Sequence, residues 1–350
     1  MTSRLKIRLD ALADNYGKFV RALGGQTRRV AGVLKADGYG MGAVEVARRL
    51  AREGCRVFFS ANVAEAMNLR EAQVQEIIYV FSGPLSDQDV SLFKINQLRP
   101  VLNDELQVDR WERLGDGLPA ALHIDTGMNR LGIPHDEITL INTRAIQLQL
   151  VMTHLACADV PRHPMNQQQV DRFQIACAGL GEIQTSIGNS AGILNGPATQ
   201  GHLVRPGIGL YGGNPYAGGS NPMDCVGVLE AQVIQTRKIK KGDYIGYGAE
   251  YQADRDMKLA VVGCGYADGI PRMLSNVGAV AYSGVHLPII GRIAMDLTHV
   301  DISKAPQVKV GDWVEFFGDS IGIEQVAMQS STISYEVLTG INKRVSRVYV

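Results

Sequence analysis

Short apolar runs alternate with amphipathic segments through the first two thirds of this chain, and this alternation constrains the fold most. The apolar runs are residues 29–34, 57–60, 77–81, 100–103, 120–124, 148–153, 183–187 and 203–206. The amphipathic segments between them include residues 44–53, 63–72, 104–113 and 167–180. Strands joined by helical crossovers form a parallel sheet. Eight such units in about 200 residues match the count of a (β/α)8 TIM-type barrel, and a doubly wound sheet is the alternative.

The pattern changes after Tyr211. Gly, Pro and Asn cluster in residues 212–222, which is typical of a linker or a long loop. Strand-like segments with turn signals follow, among them VLEAQVIQTRKI, KLAVVGCGY and VKVGDWVEFFG, and a helical period appears only at 325–330. We therefore predict a barrel domain at 1–222 and a mainly β domain at 223–350.

Length and composition agree with two domains and exclude some functions. A single core rarely grows beyond roughly 250–300 residues, and this chain has 350. Its 35 Lys and Arg balance 35 Asp and Glu, which argues against nucleic-acid binding. The sequence contains neither a signal-peptide core nor an apolar stretch of membrane-spanning length, so we expect a cytoplasmic protein without a membrane partner.

The cysteines indicate no metal site. They are five in number and lie far apart, at Cys55, Cys157, Cys177, Cys225 and Cys264. No CxxC pair or zinc-ligand spacing occurs among them. We expect reduced thiols, as is usual in the cytosol.

Residues with useful chemistry follow the apolar runs, at the end of a barrel where functional groups usually lie. Lys35 comes directly after the first run, and burial there would favour the neutral amine that a carbonyl compound needs. Ser190 and Gly207 follow the last two runs, where barrels commonly hold a phosphate. Considered singly, a lysine at a strand end is more often solvated, a serine there more often caps a helix, and a glycine more often forms a turn. Together they favour a phosphorylated carbonyl cofactor, with pyridoxal 5'-phosphate as the leading candidate.

Seven ordered motifs carry a resemblance to a known family. The segment VLKADGYGMG resembles the cofactor-lysine motif of bacterial alanine racemases, which usually reads VxKAxAYGHG. The further motifs are IDTGMNRLG, MTHLACAD, GNSAG, VRPGIGLYG, GYADGIPR and GRIAMD. They occur in the order and at the spacing of that family, over residues 7–345. The resemblance implies a pyridoxal-phosphate-dependent isomerase that interconverts L- and D-alanine, a step in D-alanine biosynthesis for peptidoglycan precursors.

The resemblance also implies a head-to-tail homodimer and a role for each matched residue. Lys35 resembles the lysine that bears the cofactor and acts as one base, and Tyr266 resembles the second base, which reaches in from the other subunit. The residues that resemble the family's other cofactor contacts are Tyr39, Ser190, Gly207 and Ile208 at the phosphate and Arg205 at the pyridine nitrogen. His154 would support Arg205 or Tyr266. Arg130, Met295 and Asp296 resemble the groups around the substrate carboxylate.

Four positions depart from the family pattern. His123 stands where many members carry a carbamylated lysine, so the negative charge beside Arg130 is lost, and either a neutral imidazole or a bound anion could replace it. Ser186 stands where many members have a histidine that holds the pyridine-facing arginine. Lys343 replaces a phosphate-binding tyrosine, and Met41 replaces the histidine of YGHG. We expect the changes at Lys343 and His123 to affect substrate size or turnover, and none of the four to remove the essential groups.

Three other functions remain open at this point. The same chemistry could act on serine or on a broader range of amino acids, because a small pocket rejects one added hydroxyl only modestly. A pyridoxal-phosphate barrel decarboxylase shares the general architecture, but the Tyr266 and GRIAMD motifs argue against it. A non-enzymatic cofactor-binding barrel would lack the C-terminal β domain.

Overall fold

The computed structural model describes residues 2–143 and 145–350. Its strands are β1 (Ser3–Ile7), β2 (Gly32–Val33), β3 (Val57–Ser60), β4 (Ile77–Val80), β5 (Arg99–Leu102), β6 (Ala120–Asp125), β7 (Ile133–Pro134), β8 (Leu148–Met152), β9 (Gln184–Ser186), β10 (Gly227–Ile239), β11 (Tyr244–Ile245), β12 (Tyr251–Gln252), β13 (Met257–Val262), β14 (Ala279–Tyr282), β15 (Val285–Pro288), β16 (Thr298–Asp301), β17 (Trp313–Phe317) and β18 (Ser346–Tyr349). Its α-helices are α1 (Leu9–Ala22), α2 (Lys35–Tyr39), α3 (Ala43–Arg52), α4 (Val63–Glu71), α5 (Asp87–Ile95), α6 (Glu105–Leu114), α7 (Pro164–Cys177), α8 (Ser190–Leu194), α9 (Ile323–Gln329) and α10 (Ser334–Thr339).

The first domain is the predicted barrel. Its parallel strands lie in the order β2-β3-β4-β5-β6-β8-β9, and each contains residues of one predicted apolar run. The eighth run, 203–206, closes the circle through backbone hydrogen bonds. Val204 donates to the carbonyl of Arg29 (2.8 Å) on one side, and Arg205 donates to that of Gly188 (2.8 Å) on the other. The barrel is therefore confirmed over the doubly wound sheet.

The helices begin close to the predicted positions because polar side chains cap them. Asn62 accepts a hydrogen bond from the Glu65 amide at the start of α4, and Asp104 accepts one from Gln107 at the start of α6. Helix α7 begins at Pro164, three residues before the prediction, because proline favours the first helical turn. No helix in the described residues is both long and apolar enough to cross a membrane.

The second domain is mainly β, as predicted, and it also includes the start of the chain. Its sheet has the order β15-β14-β17-β10-β1-β18, and β13 joins the far half of β10. Strand β1 pairs with β10 and β18, although it precedes the barrel in sequence. The apolar pattern of residues 3–7 predicts neither this strand nor its partners, because strand pairing depends on distant residues. The division at 222/223 remains a prediction.

The short segment α2, which follows β2, is a left-handed turn and not an ordinary right-handed helix. Ala36, Asp37, Gly38 and Tyr39 have φ between 53° and 61°. This conformation costs a residue with a Cβ atom roughly 1–2 kcal/mol, so other contacts must hold it. The Glu65 carboxylate accepts hydrogen bonds from the amides of Ala36 (2.8 Å) and Ala61 (2.8 Å). It thereby ties the turn to the loop after β3.

The second domain holds the end of the same turn. Arg347 Nε donates to the carbonyl of Gly40 (3.1 Å), and Tyr349 Oη donates to that of Met41 (3.1 Å). At Gly42, φ is 89° and a Cβ atom would lie 2.0 Å from Tyr349 Oη, so only glycine fits. The turn is therefore fixed between the barrel and β18.

The ties made by Glu65 yield a stability prediction. We expect Glu65→Ala to lower the free energy of unfolding by about 2 kcal/mol, because two backbone amides lose a charged acceptor. Glu71→Ala, at the exposed end of the same helix, is the matched control and should change stability little. Urea unfolding followed by circular dichroism measures both. Equal stability of the two variants would contradict a role for Glu65 in holding the turn.

Candidate active site

A small cavity of ≈ 80 Å³ lies at the C-terminal end of the barrel strands. Its lining residues are Val33, Lys35, Tyr39, Phe81, His154, Asn189, Ser190, Arg205, Gly207, Ile208 and Tyr335. The structure thus brings together every residue that the sequence predicts to contact the cofactor. A wider cleft of ≈ 580 Å³ adjoins it and shares His154, Asn189, Ser190 and Tyr335.

Lys35 lies in an environment that favours its neutral amine. Burial lowers its pKa, the positive charge of Arg130 lowers it further, and the carboxylate of Glu65 opposes both effects in part. Desolvation disfavours the charged form of an amine, so a larger fraction of Lys35 is uncharged than in water. An uncharged amine is the form that attacks an aldehyde.

Hydroxyls and glycines line the opposite side of the cavity. Ser190 Oγ accepts hydrogen bonds from the amides of Gly207 (2.9 Å) and Gly209 (3.2 Å), which leaves its own proton free to bind an acceptor in the cavity. A Cβ atom at Gly207 would lie 2.3 Å from Tyr39 Oη, so a larger residue there would displace the tyrosine hydroxyl. Ile208 begins a short 3-10 helix, so its amide has no acceptor within that helix.

Tyr39 is held rigidly with its hydroxyl protonated. Its ring stacks on Tyr211 at a centroid distance of 4.6 Å, and Tyr211 Oη donates to the carbonyl of Val33 (2.8 Å). Burial raises the pKa of Tyr39 well above its ordinary value. Tyr39 can therefore donate a hydrogen bond to an anionic oxygen.

Arg205 is a buried cation whose hydrogen-bond acceptors are neutral. It is 3% exposed and donates to Ser186 Oγ and to the carbonyls of Thr153 and Ile187. Burial lowers its pKa to about 9, so the guanidinium stays charged at neutral pH. Ser186 thus holds Arg205 in place of the histidine of the family pattern. The donors of Arg205 that these acceptors do not engage are available to the cavity.

The predicted residues of the second domain lie elsewhere. Tyr266 is 43% exposed and Met295 is 54% exposed, and neither lines the Lys35 cavity. The two segments pack together, since Tyr266 donates its amide to the carbonyl of Ala294 (3.1 Å). Arg344 joins them through ion pairs to Asp268 (2.9 Å) and Asp296 (2.8 Å). Within one chain, Tyr266 and Lys35 therefore belong to separate surfaces.

Arg130 is exposed at the barrel mouth, in a loop that the Asp125 carboxylate organises. This carboxylate accepts hydrogen bonds from the amides of Gly127 (2.9 Å), Met128 (2.9 Å) and Asn129 (2.9 Å). Arg130 does not line the cavity, but its charge acts on Lys35. The side chain of Arg130 is thus close enough to the cavity to act on it by charge, but it is not part of the cavity wall.

Two of the departures from the family pattern lie outside this cavity. Met41 is fully buried and packs against Gly227 at the start of β10. Lys343 is exposed and does not line the cavity.

Sequence reasoning missed three residues that shape the site. Tyr335 lines the cavity from α10, a helix too short for its period to be recognised. Asn189 caps α8 by accepting from the Gly192 amide (2.9 Å), and its place in the GNSAG motif could have indicated this. Glu65 acts through the backbone amides of Ala36 and Ala61, so no local signal marks it.

The donor set of the cavity fits pyridoxal phosphate. An amine with a lowered pKa suits its aldehyde, and the hydroxyls of Tyr39 and Ser190 suit its phosphate. The buried Arg205 adds positive charge for an anionic molecule.

Family models match both domains. The model for the alanine racemase N-terminal domain matches residues 7–215, and the model for the C-terminal domain matches residues 226–349. A catabolic alanine racemase of Agrobacterium fabrum is 40% identical in an alignment of 361 positions that covers 100% of this chain and 92% of the relative. An alanine racemase of Rhodospirillum rubrum is 39% identical, with coverage of 99% and 96%.

Solved structures agree with these sequence matches. Alanine racemase of Bartonella henselae, with covalently bound pyridoxal phosphate, has a TM-score of 0.93 at 33% identity, and both chains are fully covered. The biosynthetic alanine racemase of Pseudomonas aeruginosa has a TM-score of 0.90 at 32% identity, with coverage of 100% and 99%. By sequence and by fold over its whole length, this chain belongs to the alanine racemase family.

Proposed function

We propose that this protein is a pyridoxal-phosphate-dependent alanine racemase. The observation that carries the proposal is the single cavity in which Lys35 lies opposite Ser190 and Gly207, with Arg205 buried beside them. The related alanine racemase of Bartonella henselae has covalently bound pyridoxal phosphate, which supports the same cofactor here. A cytoplasmic location, where D-alanine would be made for peptidoglycan, belongs to the proposal.

Different residues of the cavity would hold different parts of the cofactor. Lys35 would bind its aldehyde carbon. Tyr39, Ser190 and the backbone at Gly207 and Ile208 would donate hydrogen bonds to its phosphate. When bound, the cofactor supplies an electron sink that acidifies the substrate Cα–H bond. His154 lines the same cavity, and burial lowers its pKa well below the ordinary value, so it would be a neutral hydrogen-bonding partner.

Racemisation needs a base on each face of the substrate carbon. Lys35, once its amine is free, would take or return the proton on one face, and Tyr266 of the partner subunit would do so on the other. The exposure of Tyr266, and its place outside the Lys35 cavity within one chain, support a homodimer with shared sites. On this proposal the segment 1–222 carries the cofactor, and 223–350 supplies the second base.

Three further residues would bind the substrate carboxylate. Arg130 offers a charge at the cavity mouth. Met295 and Asp296 lie on the segment that packs against Tyr266, so they would approach the site together with it. The substrate carboxylate would therefore meet groups from both subunits.

A chiral assay tests the proposed function. The protein with added pyridoxal phosphate is incubated with L-alanine, L-serine, L-lysine or L-arginine, and D-enantiomers are resolved by chromatography. We expect the highest kcat/KM with alanine. Faster turnover of serine or of a basic amino acid would reassign the substrate, and carbon dioxide release without racemisation would indicate a decarboxylase.

Removing the hydroxyl of Tyr266 tests the two-base assignment. We expect Tyr266→Phe to lower kcat by at least about 100-fold, the usual scale for a lost general base. We also expect the Cα-deuterium isotope effect to rise in one direction of racemisation more than in the other. Tyr244→Phe, at an exposed tyrosine of the same domain, is the control. Equal changes in both directions would argue against two distinct bases.

The charge of Arg205 yields a prediction about side reactions. A guanidinium can only donate, so it would leave the pyridine nitrogen unprotonated and weaken the electron sink. The deprotonated substrate carbon would then regain its proton quickly. We expect Arg205→Glu to increase the ratio of pyruvate molecules formed by transamination to racemisation events. Arg205→Lys should not increase this ratio. This ratio is independent of the amount of folded enzyme, and an unchanged ratio in Arg205→Glu would contradict the assignment.

A further inference from the structure

Gln169 is a fully buried polar side chain that none of the seven sequence motifs includes. It lies in the middle of α7, the helix that connects β8 to β9 on the outside of the barrel. It lines neither the Lys35 cavity nor the adjoining cleft. Burial of an amide is costly unless its polar atoms are hydrogen-bonded, so the partners of Gln169 indicate its role.

The partners of Gln169 lie just after the ends of β6 and β8. Its Oε1 accepts from the amide of Ala156 (2.8 Å), and its Nε2 donates to the carbonyl of His154 (3.0 Å). Nε2 also donates to Thr126 Oγ1 (3.1 Å). Because a backbone N–H only donates and a carbonyl only accepts, the orientation of the Gln169 amide is fixed. One side chain thus spans the two peptide groups on either side of Leu155.

The segment that Gln169 holds also carries an acceptor of Arg205. The Arg205 guanidinium donates at close range to Ser186 Oγ and to the carbonyl of Thr153. The carbonyls of Thr153 and His154 belong to consecutive peptide groups, so a rotation of the second would displace the first. The same short segment therefore binds Arg205 on the cavity side and Gln169 on the side of α7.

A pair of buried hydroxyls extends these hydrogen bonds. Thr126 Oγ1 lies 2.8 Å from Thr153 Oγ1, and both residues are buried. Since Gln169 donates to the first of these hydroxyls, hydrogen bonds run without a break from α7 through Thr126 to Thr153. The Arg205 guanidinium thus has one attachment in β9, at Ser186, and another whose position depends on α7.

We propose that Gln169 is a positioning residue for Arg205. From outside the barrel it fixes the peptide groups after β8, and these hold the guanidinium in the orientation that faces the cofactor's pyridine nitrogen. The inference rests on the proposed function for the place of that ring, whereas the hydrogen bonds of Gln169 are independent of it. Because Gln169 contacts neither cofactor nor substrate, its loss displaces a group of the site and removes none.

Hydrogen–deuterium exchange tests the hold on the segment without turnover. In the holoenzyme, Gln169→Met removes the acceptor of the Ala156 amide. Exchange of this amide, followed by mass spectrometry of peptides that cover 153–157, should become about tenfold faster, the scale of one buried hydrogen bond. Gln168→Met, at the exposed neighbouring position of the same helix, is the matched control and should leave exchange unchanged. Unchanged exchange in Gln169→Met would overturn the inference.

The ratio of pyruvate molecules formed to racemisation events tests the connection to Arg205. We expect Gln169→Met to raise this ratio about threefold or more, the scale of residues that act through a neighbour, and Gln168→Met to leave it unchanged. In an Arg205→Glu background, Gln169→Met should add nothing, because no guanidinium remains to be displaced. An unchanged ratio in Gln169→Met, or an additive increase in the double variant, would contradict the proposal.

A milder variant keeps the test decisive if Gln169→Met folds poorly. Thr126→Val preserves the shape of the side chain and removes only the hydroxyl between Gln169 and Thr153. We expect a smaller rise of the pyruvate ratio, and an unchanged ratio would overturn the inference. If the wild-type protein forms no D-alanine, the proposed function fails, and the exchange measurement still decides whether Gln169 holds the segment after β8.

Discussion

The hydrogen bonds from Glu65 to the Ala36 and Ala61 amides connect the fold to the chemistry. They hold a left-handed turn that begins directly after Lys35 and that this chain forms partly with residues other than glycine. The turn reverses the chain within a few residues. As a result Lys35 stays at the barrel mouth while Tyr39 reaches across to Gly207. One carboxylate thus fixes both sides of the cavity, and β18 of the second domain holds the far end of the turn.

The cavity is positively charged inside a chain with no net charge. Arg205 is buried against neutral oxygens, Arg130 stands at the mouth, and both lower the pKa of His123. In place of a counter-charge, Ser186 supplies a neutral acceptor to Arg205. Such a site favours an anionic cofactor and a carboxylate substrate, because the bound molecules themselves supply the missing negative charge. The departure from the family pattern at Ser186 keeps this charge arrangement.

Local patterns in the sequence predicted the barrel and the groups around its cavity. Each run of apolar residues marked a strand position, and Lys35, Ser190 and Gly207 followed runs whose ends meet at one edge of the barrel. The pairing of β1 with β10 and β18 could not be predicted, since a strand's own residues do not identify its partners. The role of Glu65 could not be predicted for a similar reason, because the backbone amides that it binds include one that is distant in sequence. The proposed role of Tyr266 depends on a second chain, so it remains a prediction.

The position of the cofactor is the central claim, and its chemical capture tests it most directly. The protein saturated with pyridoxal phosphate is reduced with sodium borohydride and digested, and the phosphopyridoxyl group is located by tandem mass spectrometry. The account predicts one label per chain, on Lys35, and none in a Lys35→Ala variant treated in the same way. A label of equal yield on another lysine, or on the Lys35→Ala variant, would contradict the account.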